Sequence, residues 1–243
     1  MASKHHKPAD TLEEIESAGE RLLAWVGANP ILVMSVAAAI LLSAAGLGGY
    51  RALRHAAAVE ASAALEKVRI DYTVAMGGAP GDVLVPEPAN PETARAVRRE
   101  FVDRFAALGL EYGGTGAGAL ASLDAGSLYL DLGAPDQALE TWQAAAEAVA
   151  ERSALRGVLL NRIAQLYEQD EKFAEAAQIY EDAAAIGDYP LRDLALGHAA
   201  RTWVAAAQPE RALAAYDRLQ ANSPDTRLPA HVAALLEELS ARR

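Results

Sequence analysis

Residues 31–49 read ILVMSVAAAILLSAAGLGG, a run of nineteen with no charged side chain and no side-chain amide. At about 1.5 Å of rise per residue, a helix of this length covers roughly 28 Å, close to the ~30 Å of hydrocarbon that a spanning helix must cross. Trp25 and Tyr50 bracket the run, where amphipathic rings favour the headgroup level, and Pro30 and Arg51 mark its ends. A buried, Ala-rich helix of a soluble bundle could show the same run, but it would not need those flanks. A cleaved leader calls for a short, positive head. Here the residues before the run carry Lys4, Lys7 and Arg21 against Asp10, Glu13, Glu14, Glu16 and Glu20. The expectation is an uncleaved transmembrane helix over 30–50, with 1–29 as its head.

The chain has 243 residues and a net charge of −11, and all but two of those negative charges lie beyond the apolar run. That leaves residues 51–243 long enough for one sizeable core. The acidic balance, with few aromatics and none interleaved with Lys or Arg, excludes the basic footprint of a nucleic-acid binder. With no cysteine there is no disulfide and no thiolate metal site, so packing alone must supply stability.

The head begins with a polar stretch holding His5 and His6, which supply too few fixed donors for a metal. From Thr11 a short amphipathic helix is predicted: Thr11 and Glu14 have capping-box spacing, and Leu12, Ile15, Leu22 and Val26 share a face. Within the span, Ala45 and Gly49 stand four apart, a spacing that permits close helix approach. Residues 51–76 contain no Pro or Gly and read as a helical stalk. Residues 77–91, GGAPGDVLVPEPANP, hold four Pro and three Gly and read as a linker. Asn90 and Pro91 then fit the N-cap and first residue of a helix to about Leu110. The run YGGTGAG at 112–118 lacks the preceding strand and the Lys-Ser or Lys-Thr pair of a phosphate-binding loop, so it reads as a connector.

Beyond Leu120 the chain repeats itself. A small residue (Gly126, Ala164, Ala200) stands three before an aromatic (Tyr129, Tyr167, Trp203). Nine residues later comes an alanine (Ala138, Ala176, Ala212), and four beyond that a second aromatic (Trp142, Tyr180, Tyr216). Small residues let antiparallel helices approach, and aromatics fill the space between one hairpin and the next. Gly133 with Pro135, Asp170 with Glu171, and Gln208 with Pro209 supply the turns. The pattern resembles tetratricopeptide repeats with lengthened second helices or connections. The expected fold class is therefore all-α: one N-terminal transmembrane helix, then a tetratricopeptide-like helical-hairpin solenoid over 92–243, closed by a last helix from Leu228 to Ala241 with Leu235, Leu236 and Leu239 on one side.

Solenoids of this kind bind polypeptide along their first helices. The residues placed there by spacing are Leu123, Ser127, Leu130 and Asp131, then Asn161, Gln165, Glu168 and Gln169, then Arg201 and Val204. They are polar-neutral, acidic and apolar, unlike the Lys, Arg and Asn with which such domains clamp a terminal carboxylate. No Ser–His–Asp set can be placed, and His55, His198 and His231 fall on separate predicted helices without metal-ligand spacing. The reading is a non-enzyme with no cofactor and no metal.

The order of head, anchor, stalk and repeats resembles the ancillary Sec-translocon subunit family of Gram-negative inner membranes. The likeness is densest in GALASLDAGSLYLDLGAPDQALETW, residues 118–142, and LRGVLLNRIAQLYEQDEKFAEAA, residues 155–177. It implies a chaperone-like role beside the translocon, with the repeats in the periplasm. The implied partners are translocon components, a membrane-anchored prolyl-isomerase-like chaperone and exported polypeptides. The chain departs from that family in its Pro-rich insertion and its acidic head. Arg51, Arg54, Lys67 and Arg69 outnumber Arg21 across the span, but charge counting is weak where one flank is a long domain. The alternative is a structural scaffold that forms homo-oligomers through span and repeats to organise a membrane assembly.

Overall fold

Helices fill most of the described chain, and the Pro- and Gly-rich stretch from Gly77 to Asn90 interrupts them. The computed structural model describes residues 24–224 and 228–241. The amphipathic helix expected from Thr11, apart from its last turn, and the His5–His6 pair lie outside them. Residues 24–28 are helical. There follow α1 (Pro30–Ala75), α2 (Pro91–Glu111), α3 (Gly116–Asp131), α4 (Pro135–Ala148), α5 (Ala154–Gln169), α6 (Phe173–Ala184), α7 (Arg192–Ala205), α8 (Pro209–Asn222) and α9 (Ala230–Ala241). Among the described residues there is no strand, so the fold is all-α.

The chain divides into two compact units, Met1–His55 and Ala56–Arg243, with α1 contributing to both. In the first, α1 is the one helix among the described residues long and apolar enough to cross a membrane, and none of its most apolar stretch is buried. Ile31 is 82% exposed, and Met34, Leu41 and Leu42 stand out in the same way. The hydroxyl of Ser35 donates to the Ile31 carbonyl at 2.8 Å, which satisfies the polar group within its own helix.

In the second unit, α3/α4, α5/α6 and α7/α8 form the three hairpins expected from the repeat. All three turns close the same way. The amides of Ala134, Lys172 and Gln208 donate to the carbonyls of Tyr129, Tyr167 and Trp203 at 2.8, 2.8 and 3.0 Å. This is the six-to-one bond of a helix that ends on a left-handed residue. That residue is Gly133 (φ 77°) in the first turn but Glu171 (φ 60°) and Ala207 (φ 56°) in the others. A side chain in that conformation costs about 1 kcal/mol. Glu171→Gly and Ala207→Gly are therefore each expected to raise the unfolding free energy by up to about 1 kcal/mol, and Gly133→Ala to lower it by about as much, measured by urea titration.

The small residues of the repeat do what their spacing asks. A Cβ on Gly126 would lie 2.0 Å from the Trp142 indole nitrogen, so only glycine admits that ring. Trp142 then reaches Leu159 and Ile163 of the next hairpin, and Tyr180 reaches Ala199, Ala200 and Trp203 of the one after. Tyr129 and Tyr167 are half-buried against the same layers. The last helix closes the stack with Val232 and Leu236 inward, while Leu235 is exposed; the four-residue step from 232 to 236 sets the buried face.

The end of α1 also belongs to this body. Ala61, Leu65 and Val68, with Tyr72 beside them, pack on Phe101 and Phe105 of α2 and on Ala121, Ala125 and Leu128 of α3. The rings of Tyr72 and Phe101 are 5.3 Å apart, and Arg104 pairs with Asp71 at 2.5 Å. Residues 56–75 thus pack through their side chains against α2 and α3. Helix α2 opens as expected, with Asn90 Oδ1 accepting from the Glu92 amide at 2.9 Å. The 112–118 segment is a tight turn, and α3 starts within it at Gly116, capped by Thr115. Its backbone is so close that a Cβ on Gly118 would sit 2.1 Å from the Tyr112 carbonyl oxygen.

Candidate protein-binding groove

The first helices α3, α5 and α7 bring the sequence-selected residues onto one layer, but not into one role. Leu123 and Leu130 are half-buried against the cluster of Trp142 and Ile163, and Val204 against that of Trp203, so these three serve packing. Ser127 is exposed and its hydroxyl donates to the Leu123 carbonyl at 2.9 Å. Asp131 is exposed and pairs with Arg98 Nε at 3.3 Å. Asn161 Nδ2 donates to the Gly157 carbonyl at 3.1 Å and to the Tyr189 hydroxyl. Gln165 accepts from Arg162 at 3.3 Å, and Gln169 is open to solvent.

Glu168 and Arg201 form the polar centre of the layer. One Arg201 nitrogen donates to both Glu168 oxygens, at 2.8 and 2.9 Å. The Thr202 hydroxyl donates to Glu168 Oε1, and the Tyr180 hydroxyl to Oε2 at 3.2 Å. Thr202 and Tyr180 are completely buried, so the carboxylate satisfies two groups that water cannot reach. Burial first, and the neighbouring carboxylate second, push the Tyr180 hydroxyl far above its ordinary range. The His198 ring stacks on Tyr180, centroids 5.0 Å apart at 25°. Its Nδ1 lies 3.4 Å from the same Arg201 nitrogen.

Burial, reinforced by the positive charge of Arg201, holds the His198 pKa below its usual value, against an opposing pull from Glu168. The unfolded chain therefore binds the His198 proton more readily than the folded chain does. Stability is unaffected by this group above its unfolded pKa of about 6.5, and it falls as pH drops from there toward the folded pKa. His198→Gln is expected to flatten this part of the profile: between pH 7.5 and 5.5 the variant should lose less stability than the parent in urea titrations.

The sequence pattern missed the residues that α1 adds to this layer. Arg69 Nε meets Asp124 Oδ2 of α3 at 2.8 Å, and together with Tyr72 they line a cavity of about 450 Å³. A stricter look at Tyr72 as a repeat aromatic could have found them, although the small residue expected three before it is Arg69.

No protein-family model matches the chain, and no curated protein does. Two crystal structures of a protein of Podosopora anserina, described as a kinesin light chain of nearly identical TPR-like repeats, are similar to it; one carries a single substitution. Each is 14% identical, with 74% of this chain and 89% of that chain covered and a TM-score of 0.48. At that score the repeat fold rests on this chain's own hairpins.

Proposed function

We propose that this chain is a membrane-tethered, non-enzymatic, chaperone-like adaptor that binds polypeptides beside the Sec translocon, its repeat body in the periplasm of a bacterial inner membrane. The observation that carries the tether is the apolar part of α1, where among the described residues no large aliphatic side chain is buried. Leaving such a surface in water is costly, and a bilayer removes the cost. The adaptor role is supported by the first-helix layer, where Ser127, Gln165 and Gln169 are open to solvent. The non-enzyme reading is supported by the commitment of Glu168, Arg201, Tyr180 and Thr202 to one another. The placement beside the translocon is supported by the resemblance over residues 118–142 and 155–177.

Photo-crosslinkers at Gln165 and Gln169 in intact membranes test this. Adducts to translocon components or to chains in export are expected, whereas adducts only to further copies of this chain would favour the scaffold. Protease added to spheroplasts is expected to degrade the body, and protection until lysis would contradict the orientation.

A further inference from the structure

We infer that the corner between the end of α1, the 76–90 loop and α3 is a docking site for an extended polypeptide segment carrying a large apolar side chain next to a lysine or arginine. This rests on the adaptor reading and names the kind of segment bound. The loop is fastened at both ends. The Gly78 amide donates to the Thr73 carbonyl at 2.9 Å and the Ala79 amide to Asp82 Oδ2 at 2.7 Å. At the other end Arg98 holds Glu87 at 2.5 Å and Asp131 at 3.3 Å. Between these fastenings, Val83 and Leu84 are 96% and 82% exposed, and Val85 is nearly half so.

One exposed aliphatic is ordinary; three in succession on a fastened loop make a patch that a partner covers. Val83 and Val85 rim the 450 Å³ cavity, and Tyr72, Phe105 and Leu128 line it, which is room for an apolar side chain. Among the described residues, no backbone hydrogen bond uses the amides of Val83, Leu84 or Val85, so the carbonyls of an extended segment can take them.

Charge selects the occupant. The cavity holds Glu66, Asp82 and Asp124 against Arg69, which is already paired with Asp124. Two carboxylates are in excess, on a chain of net charge −11, and an anionic segment is repelled.

The test uses the full chain in neutral phosphatidylcholine nanodiscs and fluorescence anisotropy with two labelled peptides. One alternates Leu or Phe with Lys, and its twin has Glu for every Lys. The Lys peptide is expected to bind at least tenfold tighter than its twin, and less tightly as salt rises. Val83→Ser with Leu84→Ser, and separately Glu66→Lys, should each weaken it at least tenfold while leaving the melting temperature unchanged, because all three positions are exposed. Equal binding of the two peptides, or variants that bind like the parent, would overturn the site and leave the adaptor reading standing. Failure of the parent to bind either peptide would remove both. A parental dimer that the Val83→Ser/Leu84→Ser variant dissolves would assign the patch to a second copy and overturn the proposal.

Discussion

Trp203→Ala is expected to lower the unfolding free energy of the repeat body by about 3–5 kcal/mol, the range for removing a large buried aromatic ring. Trp203 is 1% exposed at the junction of α7 with α6 and α8, packed among Tyr180, Ala177, Ala212 and Leu213. Alanine leaves a void that close-packed helices cannot fill without moving. The indole nitrogen also donates to Glu181 Oε1 at 2.7 Å, and the Arg211 guanidinium lies 4.5 Å from the ring centroid. Trp203→Phe separates these effects. It keeps most of the apolar volume and loses the N–H, so it should cost about 1 kcal/mol for the hydrogen bond plus a smaller packing loss. In a body of this size, the alanine variant should melt roughly 10 °C lower by circular dichroism. A change under about 2 °C would contradict the placement of this ring in the core.

The second large effect is expected at Glu168. Glu168→Ala strands the Arg201 charge and leaves the hydroxyls of Thr202 and Tyr180, both completely buried, without their acceptor. Removing one partner from such a set should cost about 3 kcal/mol. Glu168→Gln should cost less, since its amide oxygen still accepts from one of the hydroxyls. Adding Arg201→Met to Glu168→Ala should recover part of the loss, because the stranded cation is gone. Additive losses in the double variant would show that Glu168 and Arg201 do not act as a pair.

The hairpins were legible in the sequence because a small residue, two aromatics and an alanine recur in register, and each residue type answers a packing need. Gly126 is the plainest instance, as it stands where the Trp142 ring has to lie. The packing of residues 56–75 on α2 and α3 was not legible, for two reasons. The connection to α2 is the long 76–90 loop rather than three residues, so no fixed offset connects Tyr72 to α2. The residue three before Tyr72 is Arg69 rather than a small one, and Asp124 neutralises its charge from a different helix. The run at 112–118 reads as a connector by composition, but composition does not show that Gly118 is there because the Tyr112 carbonyl leaves no room for a Cβ.

In the groove, spacing placed Glu168 and Arg201 on one face. It could not show that they bind each other, because the bond joins residues 33 apart in the chain. Leu123, Leu130 and Val204 share that face with them, yet pack inward because the neighbouring hairpin offers an apolar surface. Periodicity alone does not distinguish a side chain turned to a partner from one turned to the next repeat.

The apolar part of α1 carries the membrane reading, and alkaline extraction of membranes from cells making the full chain tests it directly. High pH strips peripheral proteins and leaves spanning helices in the bilayer. The expected result is full-length chain in the membrane pellet, with Leu41→Arg and Leu42→Arg together shifting it to the supernatant. Unprocessed full-length chain in the supernatant of the parent would contradict the tether.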